Sequence, residues 1–399
     1  MCSLHRAPRC PGCRRTSQPP SASQRERSGR ARSHPPWAGD RGSYPCAVRE
    51  PYDVSVALGS GADAVVFYPA ERDLETWAAR HAAGSAPDRW PYGLDRLESH
   101  IAGVTSKNLP AATPITRVAR RVIAVLPPGR RASNPVGVTW DENAGALLAT
   151  TTRLSARYSG VVWLTDGVAR QGGGRFASLR RALRRMDGLW VLSDAQVAPL
   201  AAFLGEGAPP VHYVRFGVDQ DFFRHAPYPI RPLVVSVGGD RDRDPETLLR
   251  AMATLRKVRP DVEIVVQSKT SIDPPAGVNV VPYLTHTELR DLYARASVVV
   301  IATRPNLHVS GMTVGLEAMA TGRPLVITRT PGMDDYFGGT TAARMVQVGD
   351  ADALASEALR LLEDPVAGAA AGEAASAHVT GGFTTAHLAA RVAEVITRR

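Results

Sequence analysis

The second half of the chain alternates between short apolar runs and longer segments in which apolar residues recur every three or four positions. The short runs have strand length and are continuously apolar, which is typical of strands that are buried on both faces. Such alternation predicts an α/β fold with a parallel sheet covered by helices on both sides. The predicted strands are LVVSV (233–237), VEIVVQ (262–267), VNVVPY (278–283), SVVVIAT (297–303), PLVIT (324–328) and RMVQV (344–348).

Sequence signals for helix starts agree with this pattern. The run Asp-Pro-Glu at 244–246 offers an N-cap, a first-turn proline and a first-turn acid. Thr285 and Glu288 have the spacing of a capping box, and Asp350 is placed to cap a further helix. The last segment, 384–399, has the apolar spacing of an amphipathic helix.

The first half of the chain shows the same alternation less regularly. Helices are predicted at 142–156, 175–186 and 194–204. The candidate strands are VSVAL (54–58), VIAVLP (122–127), VGVTW (136–140), VVWLT (161–165), LWVLS (189–193) and VHYVRF (211–216).

A proline-rich stretch at 226–232 separates the two halves, and proline there stiffens the connection and interrupts helix and strand. We therefore expect two Rossmann-like domains in tandem that face a central cleft. The predicted divisions are a tail at 1–50, a first domain at 51–225, a second domain at 226–383 and a carboxy-terminal helix at 384–399, with the option that this helix crosses back to the first domain.

The net charge of +10 lies mostly in the first fifty residues, which hold ten arginines and three acids. The rest of the chain is therefore only weakly basic, and a nucleic-acid partner is not expected. This tail is rich in Arg, Ser and Pro without apolar periodicity, which predicts disorder. It also contains all four cysteines, and its Cys10–Cys13 pair lacks a second pair at the spacing of a zinc site.

No apolar run of the chain approaches the roughly 18 residues of a membrane span. We therefore expect no transmembrane segment and a cytoplasmic location, with peripheral attachment to a membrane left open.

The segment from Asn306 to Pro324 carries the clearest functional signal. Ser310, Gly311 and Thr313 lie where a predicted strand ends and a helix begins, so free backbone N–H groups and the positive end of the helix dipole favour a phosphate there. Glu317 lies one turn later on the same face and could accept hydrogen bonds from both hydroxyls of a ribose. The alternative is structural, with an N-cap and an acid that complements the helix dipole.

Three segments in order resemble retaining glycosyltransferases of the GT-B fold, of the family-four type known as glycosyl transferases group 1. They are 216–223 (FGVDQDFF), 236–251 (SVGGDRDRDPETLLRA) and the Asn306–Pro324 segment with the residues that follow it. The resemblance implies transfer of a hexose-type sugar from a nucleotide-diphosphate sugar to a hydroxyl, with retention and without a metal. The donor would be a co-substrate, no further cofactor is implied, and the acceptor stays open among small molecules, lipids and polysaccharides.

The resemblance also assigns residues in the second domain. Arg243 occupies the position of a lysine that contacts phosphate in the family, and Arg241 is a second candidate, whereas the arginine expected after Gly238 is replaced by Gly239. Glu317 matches the second of two family glutamates eight residues apart, and the first is replaced by Val309. The donor site is thus predicted at Arg241, Arg243, Ser310, Gly311, Thr313 and Glu317.

The candidate catalytic residues are Arg243 and Asp166. Arg243 would stabilise charge on the leaving phosphate. Asp166 ends the predicted strand VVWLT, where it could orient or deprotonate an acceptor hydroxyl or simply cap the next helix. Asp141, Glu142 and Asn143 after the predicted strand VGVTW allow the same two interpretations, and His308 is expected to face the cleft in either a structural or a functional role.

Other interpretations remain at this point. Asp240 and Asp242 form a D-x-D like the metal–diphosphate motif of the other major glycosyltransferase fold, but the second predicted sheet argues against that fold, and no metal site is predicted. With Val309 in place of a carboxylate, the chain could bind sugar nucleotides without transferring them. A nucleotide-sugar epimerase is a further alternative, although few acid–base residues surround the Asn306–Pro324 segment.

Overall fold

The computed structural model describes residues 63–109, 134–150 and 154–398. The predicted tail at 1–50 and the predicted strands VSVAL and VIAVLP lie outside these ranges.

Six parallel strands form the first sheet, in the order β2-β1-β3-β4-β5-β6. Their bounds are Ala64–Tyr68 (β1), Val104–Asn108 (β2), Val136–Thr139 (β3), Ala156–Val161 (β4), Gly188–Val191 (β5) and Val211–Tyr213 (β6). The helices of this half are Leu74–Ala82 (α1), Glu142–Leu148 (α2), Leu164–Gln171 (α3), Ala177–Leu183 (α4) and Val197–Leu204 (α5), with 3-10 turns at Pro91–Ser99, Gly173–Phe176 and Asp194–Gln196.

The second sheet also has six parallel strands, in the order β12-β11-β10-β7-β8-β9. Its strands are Leu233–Val237 (β7), Glu263–Gln267 (β8), Asn279–Val281 (β9), Val298–Ile301 (β10), Leu325–Thr328 (β11) and Ala343–Val346 (β12). Its helices are Pro245–Val258 (α6), His286–Arg295 (α7), Met312–Ala320 (α8), Asp334–Phe337 (α9), Ala351–Glu363 (α10), Pro365–Thr380 (α11) and Thr385–Thr397 (α12). The predicted fold of two parallel α/β sheets is confirmed. The strand order reverses between β7 and β10, where such sheets bind ligands.

The helix starts of the second half follow the predicted side chains. Asp244 accepts a hydrogen bond from the backbone N–H of Thr247 at 3.1 Å, and Asp350 accepts one from Ala353 at 2.8 Å. Thr285 and Glu288 form both bonds of a capping box. Because a cap is decided by residues three positions apart, it can be predicted from sequence alone.

Two predictions for the first half are wrong. The helix predicted at 142–156 ends at Leu148, and β4 occupies 156–161 instead. The predicted strand VVWLT covers only the last residue of β4 and the first turn of α3. The β4 sequence, ARYSGV, carries polar residues that are nevertheless buried, so its pattern is not that of an apolar strand.

Several elements have no counterpart among the predicted ones, including α1, α3 and the short α9. β1 was not identified, and β2, with the sequence VTSKN, is an edge strand in which only Val104 is buried. α11 is rich in alanine and has no apolar stripe that would set one face apart. The helix predicted at 175–186 is divided into a 3-10 turn and the shorter α4.

The carboxy-terminal helix α12 contacts the first half of the chain. Its first residue, Thr385, donates a hydrogen bond from Oγ1 to Asp88 Oδ1 at 3.0 Å. The backbone N–H of Asp88 in turn donates to Asp219 Oδ2 at 2.8 Å. Leu388 and Val392 of α12 are fully buried. No helix among the described residues combines the length and the apolar character needed to cross a membrane.

Candidate functional site

Two loops meet at the point where the strand order of the second sheet reverses. The loop after β7 runs from Gly238 to Asp244, and the loop after β10 leads from Ala302 into α8. Backbone hydrogen bonds join them, from Asp244 N–H to Ala302 O at 3.0 Å and from Arg304 N–H to Asp242 O at 2.8 Å. The two loops therefore form one fixed frame at the carboxyl edge of the sheet.

The helix α8 begins at this frame without a side-chain cap. Its N-cap residue, Gly311, has φ +94°, a conformation that a residue with a side chain rarely adopts. A Cβ atom at this position would also lie 2.7 Å from Arg243 NH1 and 2.8 Å from Ile301 Cγ2. Glycine therefore lets the guanidinium of Arg243 lie directly against the N-terminus of the helix.

Arg243 is half-buried and carries a positive charge that its surroundings leave incompletely satisfied. Its Nε atom is buried and has no hydrogen-bond partner among the described residues. Burial lowers the pKa of its guanidinium, and the nearby carboxylate of Asp240 acts against this shift. A buried unpartnered cation beside an uncapped helix N-terminus favours an anionic ligand.

Glu317 lies one turn into the same helix and is also half-buried. The Tyr293 hydroxyl donates a hydrogen bond to Glu317 Oε2 at 3.2 Å. Burial raises the pKa of the Glu317 carboxyl to about 8, although the bond from Tyr293 and the charge of Arg243 act against this rise. Thr313, in the first turn of α8, is exposed. The structure thus brings Arg243, Gly311, Thr313 and Glu317 together around one end of α8.

A chain of hydrogen bonds runs from this site to the first half of the protein. Ser310 Oγ donates to Asp240 Oδ2 at 2.8 Å, and His308 Nε2 lies 3.1 Å from the same oxygen. His308 Nδ1 lies 2.8 Å from Asp166 Oδ2, and Asp166 Oδ1 accepts from the backbone N–H of Leu307 at 2.9 Å. Residues far apart in sequence therefore meet across the cleft.

His308 is the cation at the centre of this chain. Burial acts to lower the pKa of His308, but hydrogen bonds to Asp166 and Asp240 and the charges of these carboxylates outweigh it and raise the pKa to about 9. Both ring nitrogens then carry protons and donate. Burial acts to raise the pKa of Asp240, yet its bonds to His308 and Ser310 hold it well below its usual range.

The structure decides between the interpretations of several acids. Asp166 does not cap α3, because the N-cap position is Trp163 and no side chain bonds there. Asp141 does cap α2, with bonds from Asn143 and Ala144 N–H at 2.9 and 3.1 Å. Glu142 is buried and accepts from Val162 N–H at 2.8 Å and Trp163 N–H at 3.0 Å, so it holds the turn that presents Asp166.

Arginines provide further contacts across the cleft. Arg170, at the end of α3, forms a bidentate ion pair with Asp242, in which NH2 lies 3.0 Å from Oδ2. Arg241 is exposed and donates to the carbonyl oxygen of Trp163 at 3.3 Å. The predicted donor residue Arg241 therefore contacts the first half of the chain, and no sequence signal singled out Arg170.

Asp240, Asp242 and His308 also have the composition of a metal site, with ligand atoms within 4.8 Å of one another. Their charges fit such a site poorly. His308 has a raised pKa and is held as a donor between carboxylates, whereas a metal ligand must be a neutral imidazole. Arg170 already neutralises Asp242. The D-x-D motif is thus accounted for by ion pairs with protein cations.

Comparison with known sequences gives two similarities. A family described as "Glycosyl transferases group 1" matches residues 231–364. The curated protein "MMP alpha-(1->4)-mannosyltransferase" of Mycolicibacterium hassiacum is 26% identical over 217 residues. That alignment covers 51% of this chain and 52% of the relative, so the match spans about half the length of the relative.

Solved structures with similar folds cover most of the chain. Sucrose-phosphate synthase from Thermosynechococcus elongatus aligns with a TM-score of 0.57 and 15% identity, over 84% of this chain and 98% of the other. Anabaena HepE in complex with UDP and glucose aligns with a TM-score of 0.59 and 13% identity, over 85% of this chain and 100% of the other. At these identities the likeness establishes the shared architecture.

Proposed function

We propose that this chain, whose two parallel sheets have the GT-B architecture and whose residues 231–364 match the glycosyl transferases group 1 family, transfers a sugar from a nucleotide-diphosphate sugar to an acceptor hydroxyl. The observation that carries the proposal is the half-buried Arg243. Its guanidinium packs against the N-terminus of α8, which has no side-chain cap, and its Nε has no hydrogen-bond partner among the described residues. Glu317 on the same helix adds a hydrogen-bond acceptor at the distance of one helical turn. Names of similar proteins, a mannosyltransferase and a protein solved with UDP and glucose, support a hexose-type donor.

The proposed reaction needs charge stabilisation at one place. The bond between the anomeric carbon and the diphosphate breaks, and the acceptor oxygen forms the new bond to that carbon with retention. The acceptor proton passes to the leaving diphosphate, which takes the electron pair of the broken bond. The amides of α8 and the Arg243 guanidinium stabilise the growing phosphate charge without a metal.

Asp166 is assigned a positioning role in this reaction. Both of its oxygens already accept hydrogen bonds from the loop after β10. Through His308 and Asp240, the Asp166 carboxylate fixes Ser310 at the start of α8. We therefore propose that Asp166 holds the acceptor half against the donor site.

The direct test of the proposed function is a thermal-shift screen with nucleoside diphosphates and their sugars, since stabilisation follows affinity. It is followed by a measurement of nucleotide diphosphate released from the best donor without acceptor. A transferase releases it slowly through hydrolysis.

The runner-up function is a sugar-nucleotide-binding protein without transfer. The observation that favours it is Val309, a buried apolar residue at the position of a family carboxylate, with φ +51°. Such a backbone conformation is strained for a β-branched residue and is kept only when the surroundings enforce it. Binding of the donor with no release of nucleotide diphosphate, even with a panel of acceptors, would favour this function.

Above pH 8, where the carboxyl of Glu317 is ionised because its pKa is about 8, Glu317→Ala is expected to weaken nucleoside diphosphate binding by roughly 1.5–3 kcal/mol, the scale of hydrogen bonds to a charged group. The loss should be much smaller for a 2′,3′-dideoxy nucleotide, because that ligand lacks the hydroxyls that Glu317 is proposed to bind. Isothermal titration with both ligands measures the difference.

The matched control for this experiment is Glu246→Ala, which removes an exposed first-turn acid of α6. It should leave both affinities unchanged. Equal losses for the ribose and dideoxy ligands in Glu317→Ala would mean that Glu317 supports the helix and does not contact ribose.

A further inference from the structure

The loop after β8 lies beside the proposed phosphate site. β7 and β8 are paired neighbours, with Val237 opposite Gln267. The side chain of Gln267 fixes the start of the loop after β7, since its Oε1 accepts from Gly238 N–H at 3.1 Å. Its Nε2 donates to Pro282 O at 3.0 Å. The residues that follow Gln267 therefore leave the sheet next to Gly238 and Gly239.

Gly239 opens a space that the side chain of Lys269 borders. A Cβ atom at Gly239 would have Lys269 Cδ and Cε as its nearest neighbours, both at 4.0 Å. Gly239 does not have a positive φ, whereas Gly238 has φ +145°. Any residue could thus adopt the backbone conformation of Gly239. What glycine provides at this position is empty space beside the side chain of Lys269.

Lys269 brings an uncompensated charge to this space. Its side chain is exposed, and within the described residues it takes part in no ion pair or hydrogen bond. A lysine ammonium on a four-carbon stem is mobile enough to follow a ligand. A Cβ atom at Gly239 would face the stem of Lys269, and one at the preceding Gly238 would meet the Arg243 guanidinium. Lys269 and Arg243 therefore border adjacent residues of the same loop.

The charge balance of the site calls for a second cation. A diphosphate brings at least two negative charges. Among the described residues of the two loops, His308 is already paired with Asp240 and Arg241 is directed to Trp163, so Arg243 is left to offer one positive charge to the ligand at this end of α8. A cation that approaches from the solvent side of Gly239 would offset the excess negative charge.

We propose that Lys269 is a second donor-binding residue, which reaches past Gly239 to the diphosphate that Arg243 and the N-terminus of α8 hold from the other side. This inference rests on the proposed function. It assigns a phosphate contact to the loop after β8. Gly239, in the loop after β7, has no side chain that could make this contact itself.

The test is titration of wild type and Lys269→Ala with UDP and GDP and with uridine and guanosine. Lys269→Ala should weaken binding of the better diphosphate about three- to fivefold, the upper range of one exposed ion pair. Nucleoside binding should change less than about twofold, because the lost contact is to phosphate. The loss should shrink at high salt, since exposed charges are screened. Lys257→Ala, on the exposed side of α6, is the matched control and should change nothing.

A second variant separates a phosphate contact from a structural role. Lys269→Ala combined with Gly239→Arg places a cation on the loop itself, where no atom other than those of Lys269 lies within 4 Å of the new Cβ. Diphosphate affinity should recover in this double variant. Undiminished diphosphate binding in Lys269→Ala, or an equal loss for diphosphate and nucleoside, would overturn the assignment of Lys269 alone. A wild-type protein that binds neither diphosphate would overturn the proposed function, and this inference with it.

Discussion

Replacing Arg243 with alanine is expected to lower the rate of sugar transfer by about two to three orders of magnitude, the usual effect of removing one preorganised donor from a charge-stabilising site. Donor binding should weaken by much less than the rate, because the extra charge on the leaving phosphate exists only in the transition state. Single-turnover rates at saturating donor, compared with donor dissociation constants from titration, measure the two effects separately.

Three measurements accompany this experiment. Arg243→Lys should recover part of the rate, since a point charge remains while the planar fork is lost. Arg250→Ala, in the helix α6 that follows Arg243, should leave the rate unchanged, because among the described residues Arg250 bonds to Thr247 and to Gly349 O and to no group of the site. A chelator should also have no effect. Loss of activity with chelator, together with full activity of Arg243→Ala, would assign the phosphate site to a metal at Asp240 and Asp242.

The second sheet was predictable because its signals are local. Each of its buried strands is an uninterrupted apolar run, as in Val298–Ile301, where all four residues are buried. The helix caps at Asp244 and Asp350 act over three residues. In the first sheet, buried strands are not always apolar runs, because β4 contains the buried polar residues Arg157 and Ser159. Burial of such residues depends on partners elsewhere in the fold, which a pattern of apolar positions does not reveal.

The residues at the start of α8 were predictable as a strand–helix junction for the same reason. Ser310, Gly311 and Thr313 lie at a strand–helix junction that the sequence shows directly, and the family resemblance added Arg243 and Glu317. The raised pKa of Glu317 and the contact of Arg243 with Gly311 depend on burial and on distant neighbours. These features could be obtained only from the structure.

The contacts across the cleft had no sequence signal. Asp166 and His308 are 142 positions apart, and Arg170 and Asp242 are 72 positions apart. The sequence pattern places Asp166 after a predicted strand and Asp242 and His308 in loops that follow strands, but it does not say which residues of the other half face them, and it does not mark Arg170 in the last turn of α3 at all. Asp166 therefore allowed both a capping role and a catalytic role until its partners were known.

Replacing His308 with glutamine is expected to lower the free energy of unfolding by roughly 2–4 kcal/mol at pH 6.5, the scale for removing one member of a buried ion pair. The side chain of His308 is only 3% exposed, and its loss leaves Asp166, Asp240 and Asp242 close together without the imidazolium between them. Denaturant unfolding of wild type and variant at pH 6.5 measures the difference.

The pH dependence of this difference has a definite sign. The folded pKa of His308 is raised to about 9 from its ordinary 6.5, so the folded state binds its proton more tightly than the unfolded state does. The stabilisation is therefore complete below pH 6.5 and is lost as the pH rises through 9. The gap in unfolding free energy between wild type and His308→Gln should narrow over that interval, while shifts from other groups cancel in the comparison.

The control for this experiment is another histidine–carboxylate pair in a different environment. His225 Nε2 lies 3.1 Å from Glu373 Oε1, but both side chains are exposed. His225→Gln should change the free energy of unfolding by less than about 0.5 kcal/mol, because solvent screens such a pair.

If the unfolding free energies of wild type and His308→Gln run parallel between pH 6.5 and 9, His308 is not charged in the folded protein. The chain of bonds from Asp166 to Ser310 would then join the two halves without an ion pair, and its role in holding them together would have to rest on the Arg170–Asp242 contact.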